Sequence, residues 1–347
     1  MTYFQRLEKR TPTRFWVNNA TRDQAKMAID AGATGCTQNP AYLSKILNSN
    51  DNDLMFGKMD KLLQVYESDT NVVAALQREM ISEICKLFLP MYEESGGRYG
   101  YVSIQADPFN EDVDTILHNA EEMLKLTPNA LIKVPATKSG LVAVRELIGM
   151  KAAVLVTEIM SMDQVMSACE LYKDATRKIN APAKYILAHI NGIFDDHMLD
   201  CMETGGISID PDACSLASWV LAKKIDRYLH MHGFSEIDYM AGGARNLDHF
   251  RNWVGIQGSI TLNWSGTIDK LIKEDGNVLP RFQMPEPYGV VDDLLDQLPD
   301  FKKAYIPGSL SEEEYEAFGP VVRFRNQFEE GWSAIIRITE EHRHRVL

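Results

Sequence analysis

Lys133 is the residue of this sequence with the clearest capacity for covalent chemistry. It lies in residues 129–137, Asn-Ala-Leu-Ile-Lys-Val-Pro-Ala-Thr, a short apolar run typical of a buried strand. Burial disfavours the charged form of a lysine, and the free amine can attack a carbonyl carbon to form a Schiff base. Lys133 is therefore a candidate nucleophile. The alternative is a strand-end lysine whose stem packs while its amine reaches water.

Polar residues also end several other short apolar runs. They are Asn18, Asn39, Gln105 and Thr157. In a barrel of parallel strands, the residues at the carboxyl ends of the strands meet at one rim, where chemistry collects. Singly, each has an ordinary alternative: Asn39, followed by a proline, suits a turn and helix start, and Thr157 suits a helix cap. Jointly, their placement around a buried lysine predicts a polar site.

The elements that must position these residues form a regular pattern. Eight short apolar runs alternate with helical patterns, at residues 15–19, 35–39, 100–105, 130–135, 152–157, 185–190, 237–243 and 259–264. Alternation of strand and helix predicts a parallel sheet, and eight repeats favour a closed barrel over an open sheet. No glycine-rich turn follows the first run, as a dinucleotide-binding open sheet would require. The predicted fold class is α/β, a (β/α)8 TIM barrel in a single domain, with its core at residues 15–276.

Two segments exceed the repeat. Residues 50–98 are predicted to form a helical insertion of two helices after the second strand, with Gly96-Gly97 as the break. Residues 277–347 are predicted to form a C-terminal helical extension, with a helix start near Ser309 and a division at Gly319-Pro320. Apolar residues at helical spacing predict that the extension packs on the barrel or across its mouth. A subunit contact in a homo-oligomer is the alternative.

Charge and composition narrow the classes of partner. The net charge of -13 and pI near 5.1 argue against nucleic acid or an anionic membrane as the main partner, while a local basic pocket for a small phosphate is still compatible with them.

The five cysteines are odd in number and form no CxxC pair, so neither a disulfide framework nor a zinc site is indicated. The histidines show no HxxxH or HExxH spacing, so no metal is expected. Without a signal peptide or a long apolar stretch, a cytoplasmic location is expected.

Two histidine segments have structural interpretations. His189 is expected to point from its strand toward the helix layer as a hydrogen-bonded structural residue. The segment Asp195-Asp196-His197 is expected to begin a helix and to act as its cap, rather than to bind a metal.

The motifs around these residues resemble the transaldolase family of class I aldolases. The matching segments, in family order, are 15–18, 37–41, 102–105, 132–137 with 140–141, 154–157 with 161–164, and 243–246. The resemblance implies a barrel whose Schiff-base lysine is on strand four, which is Lys133 here. It also implies transfer of a dihydroxyacetone unit between a ketose phosphate and an aldose phosphate, without a cofactor or metal. The implied partner is a small-molecule sugar or sugar phosphate.

The resemblance also implies roles for single residues. Gln105 and Thr157 would hold the water that shuttles protons while Lys133 forms its imine. Asn18 occupies the family's position for proton exchange with a substrate hydroxyl.

The positions on the substrate side are also implied by the resemblance. Asn39 would hydrogen-bond substrate hydroxyls, and Arg245 would bind a terminal phosphate. Ser103 and Gly243 fall at the remaining substrate-binding positions of the motifs.

The sequence departs from the family pattern where proton transfer and phosphate binding are concerned. The aspartate that ends the family's first strand is Asn18 here, and an asparagine cannot act as a base. The family's second phosphate arginine falls at Ile193, the serine before the retained arginine at Gly243, and an asparagine of strand five at Leu155. The larger transaldolases carry glutamate at Gln105, although the compact aldolase branch also carries glutamine.

These departures predict an enzyme with altered substrate specificity. The alternative is a non-catalytic sugar-binding or regulatory protein on the same scaffold. The retained Lys133 argues against a simple binder, which would not need it.

Overall fold

The structure is a computed structural model that describes residues 1–346. Its sheet is a closed barrel in which eight strands follow one another in chain order. The strands are β1 Arg14–Asn18, β2 Gly35–Thr37, β3 Tyr101–Gln105, β4 Ala130–Pro135, β5 Val154–Ile159, β6 Tyr185–Ile190, β7 Asp238–Gly242 and β8 Gly258–Asn263. The pairs β1–β2, β2–β3, β3–β4, β5–β6, β6–β7 and β7–β8 are parallel. The predicted (β/α)8 TIM barrel is confirmed, and the eight apolar runs differ from the strands only at their ends.

Helices alternate with the strands, as predicted from the helical spacing between the apolar runs. They are α1 Tyr3–Arg10, α2 Arg22–Ala31, α3 Tyr42–Ile46, α4 Asn52–Leu63, α5 Asp69–Glu94, α6 Val113–Leu126, α7 Lys138–Gly149, α8 Met162–Thr176, α9 Asn191–Gly205, α10 Pro211–Cys214, α11 Ala217–Met231, α12 Asp248–Arg251, α13 Asp269–Glu274, α14 Val290–Gln297, α15 Pro299–Tyr305 and α16 Gly319–Val346. Side-chain caps begin several of them: Thr21, Asp112, Thr137 and Ser161 each accept a backbone N–H of the first turn.

The insertion after β2 contains the two predicted helices, α4 and α5, but their boundary was predicted wrongly. The chain leaves helix between Leu63 and Asp69, while Gly96 and Gly97 follow the end of α5. Both glycines have positive φ, 61° and 78°, which a residue with a Cβ seldom adopts. They therefore end the second helix instead of separating the two.

The prediction of a helix start near Ser309 was wrong. The backbone N–H groups of Gly308, Ser309 and Leu310 donate to the carboxylate of Asp163, in the first turn of α8, at 2.7, 3.0 and 2.9 Å. These contacts hold the segment as a loop because they use N–H groups that a helix would direct along its axis. The long C-terminal helix α16 begins at Gly319, directly after a separate 3-10 turn at Tyr315–Ala317, so the predicted division at Gly319-Pro320 is confirmed.

Tertiary contacts divide the chain into two compact units. The β5–β8 unit comprises Met1–Phe15 with Val134–Phe324, and the β1–β4 unit comprises Trp16–Lys133 with the chain from Arg325 onward. Each unit has its own apolar core, which includes Met80 and Phe88 of α5 in the β1–β4 unit and Val220 and Phe301 in the β5–β8 unit. Within residues 1–346, no helix combines the length and the apolar character needed to cross a bilayer.

Candidate active site

Strand register in the β1–β4 unit places the candidate polar residues in two rows. Asn18 pairs with Thr37 and Thr37 with Ser103, while Gln105 pairs with Lys133. Register partners on neighbouring strands point to the same face of a sheet, so each pairing defines neighbours on one face. Gln105 and Lys133 stand side by side one row beyond Ser103, about 6–7 Å closer to the carboxyl ends of the strands. Asn18 belongs to the earlier row.

Lys133 is nearly enclosed. The residue is 7% exposed, and its Nζ lies 5.2 Å from the centroid of the Phe328 ring of α16. Phe328 is itself 3% exposed. The C-terminal helix thus covers the lysine near the carboxyl end of β4, a contact that the sequence pattern suggested only as packing on the barrel or across its mouth. The arrangement shields the amine from bulk water and presents an aromatic face to it.

The loop after β2 also packs against α16 in this unit. Ser44 Oγ donates to the carbonyl oxygen of Gly331 at 2.8 Å. A Cβ placed on Gly331 would lie 3.0 Å from Cβ of Ala41, closer than ordinary van der Waals contact. Glycine at 331 therefore lets the helix approach the segment that carries Asn39.

Asn39 is oriented by Asn19, a neighbour that the sequence analysis did not include in the site. Asn19 Nδ2 donates to Asn39 Oδ1 at 2.9 Å, and the backbone N–H of Asn39 donates back to Asn19 Oδ1 at 3.1 Å. Asn39 Oδ1 also accepts from the N–H of Ala41 at 3.0 Å. With its oxygen engaged twice, Asn39 presents its amide N–H groups as donors, as the proposed contact with substrate hydroxyls requires. The signal in the sequence was the second asparagine directly after Asn18. Asn19 adopts a left-handed φ of 46°.

Ser103 and Asn18 have polar partners in the same unit. Ser103 Oγ accepts from the N–H of Gln38 at 3.2 Å and lies 3.3 Å from the Gln38 carbonyl oxygen, to which it donates. Ser103 therefore supports the loop that leads to Asn39. Asn18 Oδ1 accepts from Thr37 Oγ1 at 2.9 Å, a bond that an aspartate could accept equally well.

In the β5–β8 unit, Thr157 lies in a β-bulge. The pairing of β5 with β6 shifts register between Val156 and Ile159, which brackets Thr157 and Glu158. The Thr157 carbonyl oxygen accepts from the N–H of Ala136 at 2.8 Å, so the backbone is fixed. The Thr157 side chain is fully buried, and within residues 1–346 its Oγ1 has no hydrogen-bond partner. A buried hydroxyl of this kind is suited to hold a water or a substrate atom, and it does not cap α8, whose cap is Ser161.

Glu158 was missed by the sequence analysis. It is fully buried and has a φ of 59°, in the left-handed region that is uncommon for residues with a side chain. Its carbonyl oxygen accepts from Gln164 Nε2 at 2.9 Å, which helps to hold the bulge. Bulges and strained backbone cluster at functional sites, where they redirect side chains. The signal in the sequence was a glutamate inside the apolar run of residues 154–160.

Arg245, the candidate phosphate ligand, is already paired. Its Nε donates to Asp196 Oδ2 at 2.8 Å, and the two side chains are 39% and 32% exposed. Ile193, at the position of the family's second phosphate arginine, is 1% exposed. The cation that the resemblance assigns to phosphate binding is therefore paired with a carboxylate, and position 193 supplies no second cation.

Gly243 lies where the backbone needs a positive φ and where neighbouring atoms leave no space for a side chain. Its φ is 73°, and a Cβ at this position would lie 2.9 Å from Cγ2 of Ile190. A Cβ on Gly192 would lie 2.1 Å from the Gly243 carbonyl oxygen. The first turn of α9 and the loop after β7 consequently approach each other so closely that neither position has room for a side chain.

A buried polar network supports the Arg245 loop. The N–H of Arg245 donates to His249 Nδ1 at 2.9 Å, so the proton of the imidazole resides on Nε2, which donates to Asp195 Oδ2 at 3.0 Å. Asp195 also accepts from the N–H and Oγ of Ser218 at 2.7 and 2.6 Å. Burial raises the pKa of Asp195, partly offset by His249 and Ser218. Because the serine contacts the aspartate and not the imidazole, this trio is a scaffold and not a nucleophile–base pair.

The interpretation of His189 is confirmed, and that of Asp195-Asp196-His197 is corrected. His189 is buried, with Nδ1 3.0 Å from the carbonyl oxygen of Ile159 and Nε2 3.2 Å from that of Ser218. Burial lowers the pKa of His189 to about 4 despite the two carbonyl contacts. The helix that contains Asp195 begins at Asn191, so the acidic segment lies after its first turn and does not cap it.

His197, Cys201 and Asp300 form the cluster of potential metal ligands in the described chain, with ligand atoms within 4.8 Å of one another. His197 Nε2 is 2.8 Å from Asp300 Oδ2, and that hydrogen bond lowers the pKa of Asp300. The contact is a hydrogen bond that joins α9 to α15.

The family is established by comparison with known proteins. The model of the transaldolase/fructose-6-phosphate aldolase family matches residues 15–304, and the chain therefore belongs to this family. It is 29% identical over 191 residues to a transaldolase of Mycobacterium ulcerans, an alignment that covers 51% of this chain and 49% of that protein. It is 28% identical over 204 residues to a transaldolase of Trichodesmium erythraeum, covering 52% of each. The chain thus spans about half the length of the curated relatives it matches.

Among solved structures, an IMP dehydrogenase/GMP reductase-like protein of Corynebacterium glutamicum is similar to this chain. The alignment covers 92% of this chain and 83% of that protein's chain. The identity is 12% and the TM-score 0.36, which is too low to bear on fold or function.

Proposed function

We propose that this chain is a Schiff-base enzyme of the transaldolase type, which transfers or cleaves a dihydroxyacetone unit of a sugar or sugar phosphate with altered specificity. The observation that carries the proposal is Lys133, 7% exposed on β4, in register with Gln105 and beneath the ring of Phe328. A structural lysine would extend its amine to water, whereas this one is enclosed beside a polar neighbour.

The chemistry follows from a neutral amine at that position. Lys133 Nζ attacks the ketone carbon, and proton transfers convert the carbinolamine to an imine with loss of water. The protonated imine accepts the electron pair of the adjacent carbon–carbon bond as that bond breaks, which releases the aldehyde. The remaining three-carbon unit then adds to an acceptor aldehyde or is released by hydrolysis. No cofactor enters these steps.

Neighbouring residues supply the proton transfers and the binding contacts in this proposal. Gln105 is 1% exposed beside Lys133 and holds the shuttling water in this proposal. The family resemblance also assigns Thr157 to proton transfer. Asn39 donates to the substrate hydroxyls. Cleavage also requires a base for a substrate hydroxyl, and Asn18 cannot provide one.

The proposed change in substrate specificity rests on the two positions that would bind a substrate phosphate. Arg245 must exchange its bond with Asp196 for one with a phosphate, and Ile193 offers no charge. We therefore expect weak activity on fructose 6-phosphate with erythrose 4-phosphate and better relative use of substrates with less anionic charge. Turnover at rates usual for transaldolases would contradict this expectation.

The second candidate function is a non-catalytic sugar-binding or regulatory protein. It is favoured by the asparagine at position 18 and the isoleucine at position 193, which remove a base and a cation. Calorimetry would support this candidate if sugar binding persisted in Lys133→Met and no turnover were detected in the wild type.

Borohydride trapping tests the enzyme proposal directly. Incubation with dihydroxyacetone or fructose 6-phosphate followed by reduction should add the mass of the reduced ketose to the peptide that contains Lys133. Lys45, a half-buried lysine that donates to the carbonyl oxygen of Asn19, serves as the internal control and should remain unmodified. No adduct at Lys133 across a broad panel of ketoses would end the proposal.

A further inference from the structure

Glu111 lies in a loop between β3 and α6 whose neighbouring residues are hydrogen-bonded. Before it, the Asp107 carboxylate accepts from the N–H of Phe109 and from Asn110 Nδ2, both at 2.9 Å. After it, Asp112 caps α6 by accepting from the N–H of Thr115 at 3.0 Å. The Glu111 side chain is 11% exposed, so a carboxylate is held inward in a loop whose other polar residues serve turns and caps.

The Glu111 carboxylate bridges a strand-end residue and the C-terminal helix. Gln105 Nε2 donates to Glu111 Oε1 at 3.3 Å. Arg325 Nε, on α16, lies 3.3 Å from Glu111 Oε2, and the arginine side chain is 22% exposed. The pair is far less exposed than a surface pair such as Lys125–Glu122, at 67% and 37%, which solvent screens. An inward carboxylate therefore has a permanent cation on one side and an amide on the other.

This contact decides which end of the Gln105 amide faces Glu111. An ionised carboxylate only accepts hydrogen bonds, so the NH2 group of the amide must point to Glu111. The amide oxygen of Gln105 then points away from Glu111, as an acceptor. An acceptor is the group that a proton-shuttling water beside Lys133 requires, since the water must be held by one of its own protons.

We infer that Glu111 is a positioning residue of the Schiff-base site, paired with Arg325, that fixes the Gln105 amide with its oxygen as the water acceptor. The inference rests on the proposed function and deepens it. Larger transaldolases, as the resemblance implies, have a glutamate where this chain has Gln105. Here the carboxylate is supplied one side chain further away, by Glu111 acting through Gln105.

The same helix also encloses the lysine. Arg325 and Phe328 lie one turn apart on α16, so one helix face both binds Glu111 and covers Lys133. Both residues follow residue 304, where the match to the family model ends. Arg325 and Phe328 therefore link α16 to the proton-transfer geometry as well as to the enclosure of the amine.

The test follows imine formation at Lys133 with dihydroxyacetone, quenched by borohydride at successive times and quantified by mass. In Glu111→Gln, the rate at which the adduct approaches its final level should fall by about 10- to 100-fold. The reason is that a neutral amide at position 111 no longer fixes the orientation of the Gln105 amide. The final adduct level should stay unchanged, since proton transfer speeds formation and hydrolysis of the imine equally. A merely structural defect would change that level as well.

Matched variants make the test specific. Arg325→Met should slow the reaction in the same direction, whereas Arg323→Met, on the same helix and paired with Asp200, should leave it unchanged. Gln105→Glu alone places two carboxylates together and should be slow at neutral pH. Its combination with Glu111→Gln, which exchanges the amide and the carboxylate, should recover most of the rate. If Glu111→Gln does not fold, Arg325→Met and the double variant of Gln105→Glu with Glu111→Gln still test the inference.

The outcomes separate the inference from the proposed function. Wild-type adduct formation with unchanged rates in Glu111→Gln and Arg325→Met would overturn the positioning role and leave the Schiff-base proposal standing. Slow variants without recovery in the exchange pair would also overturn it. Absence of any adduct in the wild type would overturn both.

Discussion

The pairing of Arg245 with Asp196 predicts that Asp196→Asn strengthens binding of phosphorylated donors. An ion pair whose side chains are 39% and 32% exposed contributes about 0.2–1 kcal/mol, and an incoming phosphate must break it. The carboxylate also repels a phosphate nearby by on the order of 1 kcal/mol at 4 Å in water. Removing both effects should improve binding by about 1–2 kcal/mol, which is about 5- to 30-fold in affinity.

The assay compares fructose 6-phosphate with fructose at constant ionic strength. The half-saturating concentration for adduct formation at Lys133 should fall for fructose 6-phosphate in Asp196→Asn and stay unchanged for fructose. Calorimetry with inorganic phosphate measures the same gain without turnover.

Asp200→Asn is the matched control for this prediction. Asp200 lies one turn further along α9 and pairs with Arg323, so its removal changes the net charge equally without releasing Arg245. Equal improvement for fructose and fructose 6-phosphate would refute the reasoning. An equal gain in Asp200→Asn would refute it too, because the effect would then belong to overall charge.

Three further predictions concern single side chains. Asn18→Asp should raise the rate of carbon–carbon cleavage, measured by aldehyde release, because it supplies a base and can keep the bond from Thr37; an unchanged rate would direct attention to Glu158. Thr157→Val should slow imine formation about 10- to 100-fold without lowering the free energy of unfolding, since no hydrogen bond within residues 1–346 is lost; a clear loss of stability in urea would contradict this. His189 has a pKa of about 4 in the folded protein and a reference value of 6.5, so the unfolded chain binds more protons between these values and stability falls as pH falls. The wild type should lose about 2 kcal/mol more than His189→Gln between pH 8 and pH 5 in urea unfolding, and parallel pH profiles would exclude the histidine as the cause.

The sequence by itself determined the repeat of the fold and the position of the lysine on it. Alternation of apolar runs with helical spacing predicts a (β/α)8 barrel because each strand and helix must bury its own apolar face locally. Lys133 and Gln105 could be predicted as neighbours for the same reason, since the carboxyl ends of parallel strands meet at one rim. The polarity of Thr157 was likewise visible in the sequence, although the strand continues past it to Ile159.

Only the tertiary structure decided which charged side chains reach these residues. Nothing in the spacing of Glu111 and Arg325, more than two hundred residues apart, predicts their 3.3 Å contact or their link to Gln105. The positive φ of Glu158 and the bond between Arg245 and Asp196 were equally invisible in the sequence. Local patterns specify elements because hydrogen bonding and burial act over a few residues. Contacts between loops and a distant helix depend on how whole elements pack, and these contacts set the charge, orientation and enclosure on which the proposed chemistry depends.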